Sequence, residues 1–517
     1  MLLNTVTTPR FTIPAPNRLA NPGLPLDDGE VREWVSQLPM ADPRRALKRV
    51  VQLLGELNRH PEPLRARAQI LAIFRQVYGD LTGHLANQLD DTNREGLQRF
   101  CLELAYGYKH LANAAMFEGK RSSKQTLMVS LYFALHFLVE ERLLGFDESD
   151  CRTNRSFREV LSLYREAETQ GLEGVSIEVD QDTDTIGQIF LRSLLIQLLD
   201  PCRLASGEAR LCFNLLRSCS GVCRWSVAKS WHDEVGCFYI DIQGISDTRR
   251  IDAATLAREP GRYRLLDIRH LTREWRQETK RIAAGQNSMP ALLATLPAQA
   301  AVLFLNKIMG FWIGNHDRRN ERLRSFDHTI GIAGLKAVLA TLDRHKGGLA
   351  DLSLAGIDLA EFATSRFEAR QINISGGGAC LQLAASVPLP ILVGCLVLLD
   401  VQQRRFHQGQ PRLGVVRRSS RLDARTFEIG VQFLYGEYLP ILLRPEMLLS
   451  QGLPVDVPAL WLQHPQADRS SLMLSHQTPA LSGRLFIHRR LPHPAIQLVR
   501  FVESTDDFER FLYAETS

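Results

Sequence analysis

Three arginines lie close together in the middle of the chain and could bind an anion. They are Arg318, Arg319 and Arg322, within the run from His316 to Arg322. A guanidinium group presents a planar fork of donors that pairs with two phosphate oxygens, or with O6 and N7 of guanine. Arg318 and Arg322, four positions apart, can therefore hold one ligand from two sides. Taken alone, this mixture of Arg, Asp and Glu is more typical of a solvated surface.

A second group of polar and small residues follows further along the chain, in a stretch that we call the glycine segment. Its candidate ligand-binding members are Asn373, Ser375, Gly376, Gly377 and Gly378. The asparagine amide can read the edge of a guanine base, and the serine adds a hydroxyl. The glycines let backbone N–H groups approach a ligand closely and can adopt positive φ. No group here would cleave a ligand, so the two segments together indicate recognition of a purine with phosphates.

The elements around these residues are mostly strands. Period-two patterns predict strands over 325–332, 366–375, 379–384, 393–400, 412–419, 426–434 and 438–443. Between the first two lies a short predicted helix, whose apolar residues run from Leu335 to Leu342. Several short strands separated by Gly-containing turns predict a small β-barrel over 314–447.

The two ligand segments, in this order, resemble the signature of PilZ domains, which is RxxxR followed by [D/N]xSxxG. The resemblance covers 314–447 and includes three later strand patterns, at Val393 to Leu398, Leu413 to Arg418 and Ile429 to Leu434. It implies a PilZ-type β-barrel receptor for cyclic di-GMP. In such a receptor the arginine pair would hold guanine and phosphate groups, and the glycine segment would hold the second face of the ligand.

This chain departs from the family pattern in two ways. Arg322 and Asn373 are 51 positions apart (373 − 322), a longer separation than is usual in the family. The first position of the second motif is Asn, where Asp is commoner. We attribute the extra length to the predicted helix and to the loop from Lys346 to Ala360.

A further arginine group falls around one hairpin. It consists of Arg404, Arg405, Arg417, Arg418, Arg421 and Arg425. A charged strand edge that resists pairing with other chains explains most of them. For Arg417 that explanation and a contact with ligand phosphates are equally open, so Arg417 joins the candidate ligand-binding residues.

The rest of the chain predicts a multidomain α+β protein. Residues 1–30 are rich in proline and predict a disordered arm. Residues 31–222 predict a helical bundle or repeat-like domain, and 223–313 predict a small α/β or barrel-like module with a linker helix. We predict a C-terminal extension over 448–517, with a strand-like run from Arg484 to His488 and a helix near 506–513.

Composition narrows the class of protein. The chain has 517 residues, of which 45% are hydrophobic and 23% charged, with a net charge of +5. This mild excess of positive charge argues against a general nucleic-acid coat. No secretory signal or membrane-spanning run is evident, and nine cysteines in a chain of this length do not indicate a disulfide framework. We therefore expect a cytoplasmic protein with reduced thiols and no membrane insertion.

Together these observations predict a non-enzymatic receptor that couples cyclic di-GMP binding at the barrel to a protein partner of the helical region. The alternative is a nucleotide-independent interaction scaffold with a degenerate barrel. An enzymatic reading would need paired metal-binding carboxylates or a His/Asp set, and none is evident, so we predict neither a metal site nor a cofactor other than the nucleotide ligand.

Overall fold

The structure is a computed structural model of the chain. It describes residues 11–17, 23–61, 64, 66–86, 90–118, 121–146, 154–179, 182–243, 251–259, 261–286, 293, 296–314, 323–325, 327–345, 365–384, 391–400, 411–423, 425–446, 456–466, 470–476, 484–488 and 495–516. The chain divides into two compact units. The first comprises Met1–Pro201 and Ala209–Trp275, and the second comprises Cys202–Glu208 and Arg276–Ser517.

The first unit is built mainly from helices. They are α1 (Asp28–Ser36), α2 (Pro43–Asn58), α3 (Arg67–Leu85), α4 (Asp91–Glu118), α5 (Arg121–Phe146), α6 (Asn154–Thr169), α7 (Ile186–Leu198) and α8 (Glu208–Cys219). Local sequence explains several helix starts. The side chains of Asp27, Asp42 and Thr185 each accept a hydrogen bond from a backbone N–H three residues later, which caps α1, α2 and α7.

The core of the helical region contains buried charge as well as apolar side chains. Arg192 of α7 forms an ion pair with Asp184, and both side chains are 4% exposed. Tyr132 of α5 donates a hydrogen bond to the same carboxylate over 3.1 Å. Removing one partner would leave a buried charge without compensation, so this pair helps to specify how α5 and α7 pack.

Two small sheets complete the first unit. Strands β1 (Ile177–Val179) and β2 (Asp182–Asp184) form a hairpin, and β3 (Arg224–Val227), β4 (Cys237–Asp241) and β5 (Tyr263–Asp267) form a sheet in the order β3-β5-β4. Helix α9 (Ala253–Arg258) precedes β5, and α10 (Arg269–Ala283) follows it. The mixed α+β class predicted from the sequence is confirmed.

The second unit contains a first six-stranded barrel. Helix α11 (Ala298–Ile313) is followed by β6 (Leu323–Arg324), β7 (His328–Ala333), α12 (Leu335–His345), β8 (Arg366–Ser375), β9 (Gly378–Ala384), β10 (Leu396–Asp400), β11 (Arg412–Arg421) and β12 (Thr426–Phe433). Strand β8 pairs with both β7 and β9, which closes a ring in the order β7-β8-β9-β12-β11-β10. Phe367, Leu381, Val397, Val416 and Val431 are among the buried residues of its interior. We call this the first barrel.

A second barrel follows directly. Its strands are β13 (Glu437–Pro445), β14 (Val457–Gln463), β15 (Ser471–Leu474), β16 (Arg484–His488), β17 (Ala495–Ser504) and β18 (Glu509–Thr516). They close in the order β13-β14-β15-β18-β17-β16. When the strands of each barrel are counted from its own start, both rings read 1-2-3-6-5-4, and every pairing is antiparallel. The two barrels therefore share one topology.

Helix α12 lies between the two barrels. Its residues Leu335, Val338, Leu339 and Leu342 belong to one buried cluster with residues of β10, β11, β13, β14 and β15. Phe508, at the tip of the β17–β18 hairpin, is fully buried in the same cluster. The predicted insertion thus contributes the helix that joins the barrels.

The turn before Phe508 also caps α12. Asp507 accepts hydrogen bonds from the backbone N–H of Leu335 at 2.9 Å and of Leu396 at 2.8 Å. Burial raises the pKa of the Asp507 carboxyl above its ordinary value, and the two N–H donors oppose that rise.

The C-terminal region differs from the sequence prediction. The helix predicted near 506–513 is wrong, because this segment forms the turn and the strand β18, which pairs with both β15 and β17. Acidic residues ahead of an apolar run resemble a helix start, but here Asp507 caps α12 instead. The predicted extension over 448–517 supplies five strands of the second barrel, and a division at 447 would separate β13 from its partner β14.

Two further findings concern the cysteines and the length of the helices. Cys202 is disulfide-bonded, which departs from the expectation of reduced thiols at that position. The free cysteines in the described part of the chain are Cys101, Cys212, Cys219, Cys223, Cys237, Cys380 and Cys395. Within the described residues, no helix combines the length and the apolar character that crossing a bilayer requires.

Candidate functional site

The glycine segment forms the tight hairpin between β8 and β9. Ser375 pairs with Gly378, and Gly376 and Gly377 make the two-residue turn between them. Tyr435 fixes the turn from outside, since its hydroxyl donates a hydrogen bond to the carbonyl of Gly376 over 2.9 Å.

A β-bulge decides which way the polar side chains of β8 point. Phe367 and Gln371 face the barrel interior, and strict alternation would send Asn373 inward as well. The register of the β8–β9 ladder shifts between Gln371 and Asn373. After this shift Ile374 lies in the interior, so Asn373 and Ser375 face outward on one side. The bulge therefore presents both polar members of the motif to the outside of the barrel.

The Asn373 side chain has an unmet hydrogen-bonding group. Its Oδ1 atom is buried, and within the described part of the chain it has no hydrogen-bond partner. The Ser375 hydroxyl is only weakly engaged, donating to the carbonyl of Gly378 over 3.3 Å. Buried polar atoms without partners are rare in folded proteins and often mark functional positions. Here the atom without a partner belongs to Asn373, which the sequence motif had already indicated as a candidate ligand-binding residue.

Close packing, and not an unusual backbone angle, explains the glycine at 378. A Cβ atom at this position would lie 2.2 Å from the carbonyl oxygen of Val431 on β12. At Gly376 the corresponding position is open, with no atom within 4 Å. Neither Gly376 nor Gly378 has φ in the left-handed region, so the positive φ expected for the segment is not found at these two positions.

Arg417 is connected to the glycine segment but is already engaged. Its Nε donates to Oε1 of Gln432 at 3.0 Å, and Gln432 pairs with Gly378. Its guanidinium also forms an ion pair with Glu503 of the second barrel, with one of the two contacts at 3.1 Å. A ligand phosphate would have to compete with this carboxylate for Arg417.

The predicted arginine segment, with Arg318, Arg319 and Arg322, lies outside the described residues. The described chain resumes at β6, where Leu323 pairs with Ile374 and Arg324 pairs with Asn373. In the sequence, Arg322 immediately precedes Leu323, whose partner Ile374 lies next to Asn373 on β8. The arginine segment therefore leads directly into a strand, β6, that pairs with the strand carrying Asn373.

Two residues beside the glycine segment were missed by the sequence analysis. Arg324 lies directly opposite Asn373, and Tyr435 bonds the turn at Gly376. Arg324 could have been found from the sequence, because it follows Arg322 at a spacing of two, the spacing at which residues share a face whenever they lie in one strand. No local signal marks Tyr435, since its contact depends on β12 lying beside β9.

Among the residues that the structure describes, no group of three or more His, Cys, Asp or Glu side chains is arranged to hold a metal ion.

Comparison with known proteins places the similarity in the other unit. Residues 29–230 match the family model of the N-terminal domain of the cyclic-di-GMP receptor FimW. This range covers the helical region and ends before the two barrels. Over this range the chain is therefore similar to a class of cyclic-di-GMP receptors.

A curated protein is similar to part of this chain. The cyclic-di-GMP receptor FimW of Pseudomonas aeruginosa is 26% identical to this chain over 185 residues. The aligned region is 34% of this chain and 30% of the relative. The chain thus spans less than a third of the length of that relative in the alignment.

Proposed function

We propose that this protein is a cyclic di-GMP receptor whose first barrel is a PilZ-type nucleotide-binding domain. The observation that carries the proposal is the outward face of the β8–β9 hairpin, where Asn373 and Ser375 lie beside the strand that continues from the arginine segment. The similarity of residues 29–230 to the N-terminal domain of a cyclic-di-GMP receptor supports the same conclusion independently, because it involves a different part of the chain.

The proposed ligand fits the chemistry of the site. Cyclic di-GMP carries two guanines and two phosphodiester groups, which require planar base recognition and cations together. Arg318 and Arg322 hold guanine and phosphate groups through bidentate contacts, and Arg319 lies between them. The amide of Asn373 reads a guanine edge, and the backbone at Gly376–Gly378 lets the ligand approach closely.

In this proposal the protein acts by binding cyclic di-GMP and has no catalytic role. A conformational response requires that one arrangement of the chain bind the nucleotide more tightly than another. We assign the output to the helical region, 31–222, as the surface for a protein partner, and place the protein in the cytoplasm. Binding at the barrel changes the availability of that surface.

Isothermal titration calorimetry of the full chain with cyclic di-GMP tests the proposal. We expect saturable binding that weakens by roughly tenfold or more in Arg318→Ala, Arg322→Ala and Asn373→Ala, since each removes a charged or buried hydrogen bond to ligand. Arg366→Ala is the matched control, because Arg366 is an exposed arginine at the opposite end of β8. The absence of binding, or equal affinity in all variants, would refute the proposal.

One observation favours the alternative of a nucleotide-independent scaffold. Arg417 is held by Glu503, an arrangement that stabilises the two barrels against each other without any ligand. A scaffold predicts the same partner recovery from a cell extract with and without cyclic di-GMP. A receptor predicts that the nucleotide changes the amount of partner recovered, and that Asn373→Ala removes the change.

A further inference from the structure

Arg324 is an exposed residue that lies beside the candidate ligand-binding residue Asn373. It lies on β6 directly opposite Asn373 of β8, and residues opposite each other in an antiparallel pair share one face. Its side chain therefore lies on the same outer face as the Asn373 amide. Arg324 is exposed, and among the described residues no ion pair or side-chain hydrogen bond engages it.

Two other arginines of the barrels are held by carboxylates. Arg417 is paired with Glu503, and Arg444 binds Asp456 through two contacts of 2.8 and 2.9 Å. Such pairs fix a guanidinium and neutralise it. For Arg324, at the edge of the glycine segment, no such carboxylate is found among the described residues.

The neighbouring Asn373 supplies the second observation. Its Oδ1 atom is buried and has no hydrogen-bond donor within the described part of the chain. The Watson–Crick edge of guanine presents N1–H and N2–H donors, which suit a single amide oxygen. A guanine placed against Asn373 would carry its phosphate on the adjoining surface, where Arg324 lies across the ladder.

We infer that Arg324 is a phosphate-binding residue of the nucleotide site, additional to the RxxxR pair. The ligand class is a guanine nucleotide with a phosphodiester group. The guanidinium of Arg324 donates to the phosphate oxygens while the Asn373 amide accepts from the base. This inference rests on the proposed function, since it concerns the same site.

Calorimetry with cyclic di-GMP on the full chain tests this role with three variants. Arg324→Gln removes the charge, Arg324→Lys keeps the charge but loses the planar fork, and Arg366→Gln changes an exposed arginine of β8 far from the glycine segment. We expect the affinity of Arg324→Gln to fall roughly tenfold or more, that of Arg324→Lys to fall less, and that of Arg366→Gln to stay within about twofold.

Salt dependence separates charge recognition from a structural effect. Raising the ionic strength should weaken binding to the wild type more than binding to Arg324→Gln, because the variant has lost one screened attraction. Thermal unfolding of all variants should match the wild type, since Arg324 is exposed. If the wild type binds and Arg324→Gln binds equally well with the same salt dependence, this inference is wrong and the proposed function stands. If the wild type does not bind, the proposed function itself fails.

Discussion

Replacing Gly378 with alanine should destabilise the first barrel even when no ligand is present. The new Cβ would lie 2.2 Å from the carbonyl oxygen of Val431. An ordinary contact between carbon and oxygen is about 3.3 Å or longer, so β9 and β12 would have to separate by about 1 Å. The oxygen is a backbone atom and the Cβ is fixed directly to the backbone of β9, so neither can move without its strand, and a shift of this kind typically costs about 1–3 kcal/mol.

Gly376 provides the matched control for this substitution. No atom lies within 4 Å of the position that its Cβ would take, and its φ is outside the left-handed region. Gly376→Ala should therefore change stability by no more than about 0.5 kcal/mol. The two variants add the same methyl group to the same hairpin and differ only in the space available.

Hydrogen exchange measured by mass spectrometry can localise the effect. Peptides from β9 and β12 should exchange faster in Gly378→Ala than in the wild type, while peptides from the helical region should be unchanged. Equal protection in both alanine variants would refute the packing argument. The result also decides how ligand-binding data are interpreted, because a loss of binding in Gly378→Ala would not by itself show that Gly378 touches the ligand.

Three further predictions concern contacts outside the glycine segment. Glu503→Gln should tighten cyclic di-GMP binding severalfold in calorimetry, because it releases Arg417 for the ligand phosphates, and unchanged or weaker binding would exclude Arg417 from the site. Asp507→Ala should destabilise the second unit by about 1–3 kcal/mol in denaturant unfolding, because two buried N–H groups lose their acceptor, and an unchanged midpoint would contradict that assignment. Burial, followed by the charge of Arg67, lowers the pKa of His110 from its usual 6.5 to about 4. The helical unit should therefore lose stability as the pH falls from about 6.5 towards 4, by about 1–2 kcal/mol after allowance for partial exposure. His110→Gln should flatten this dependence in thermal unfolding, and an unchanged slope would assign it to other groups.

The local sequence pattern was sufficient to predict elements in which buried residues recur at a regular period. Strand β8 has the bounds predicted from its alternation, 366–375, and the helix predicted from Leu335 to Leu342 lies within α12. These elements could be predicted because α12 buries one face and β8 alternates regularly as far as Gln371. The candidate site was harder to predict from the sequence, because the outward direction of Asn373 depends on a bulge that strict alternation does not reveal.

Contacts between distant parts of the chain could not be predicted from one sequence. Arg417 is held by a carboxylate 86 residues later, and the exposed-edge explanation gave no hint of that partner. The second barrel was missed for a similar reason, since its strands are defined by the neighbours they pair with. In β18, both ladders together override an apparent helical pattern.

The tip of the β17–β18 hairpin has a consequence for synthesis in the cell. Phe508 and Asp507 complete the packing and capping of α12, which precedes them by more than 160 residues, since Leu335 and Asp507 are 172 positions apart. While the chain leaves the ribosome, the first barrel can form its ladders, but the part of the α12 cluster that Phe508 fills stays uncovered until this hairpin has been made. Contacts between such distant residues form slowly, and exposed apolar surface favours aggregation in the meantime. A chain interrupted before residue 505 would therefore release a first barrel whose helix α12 lacks its cap and part of its packing, although every strand of that barrel had been synthesised.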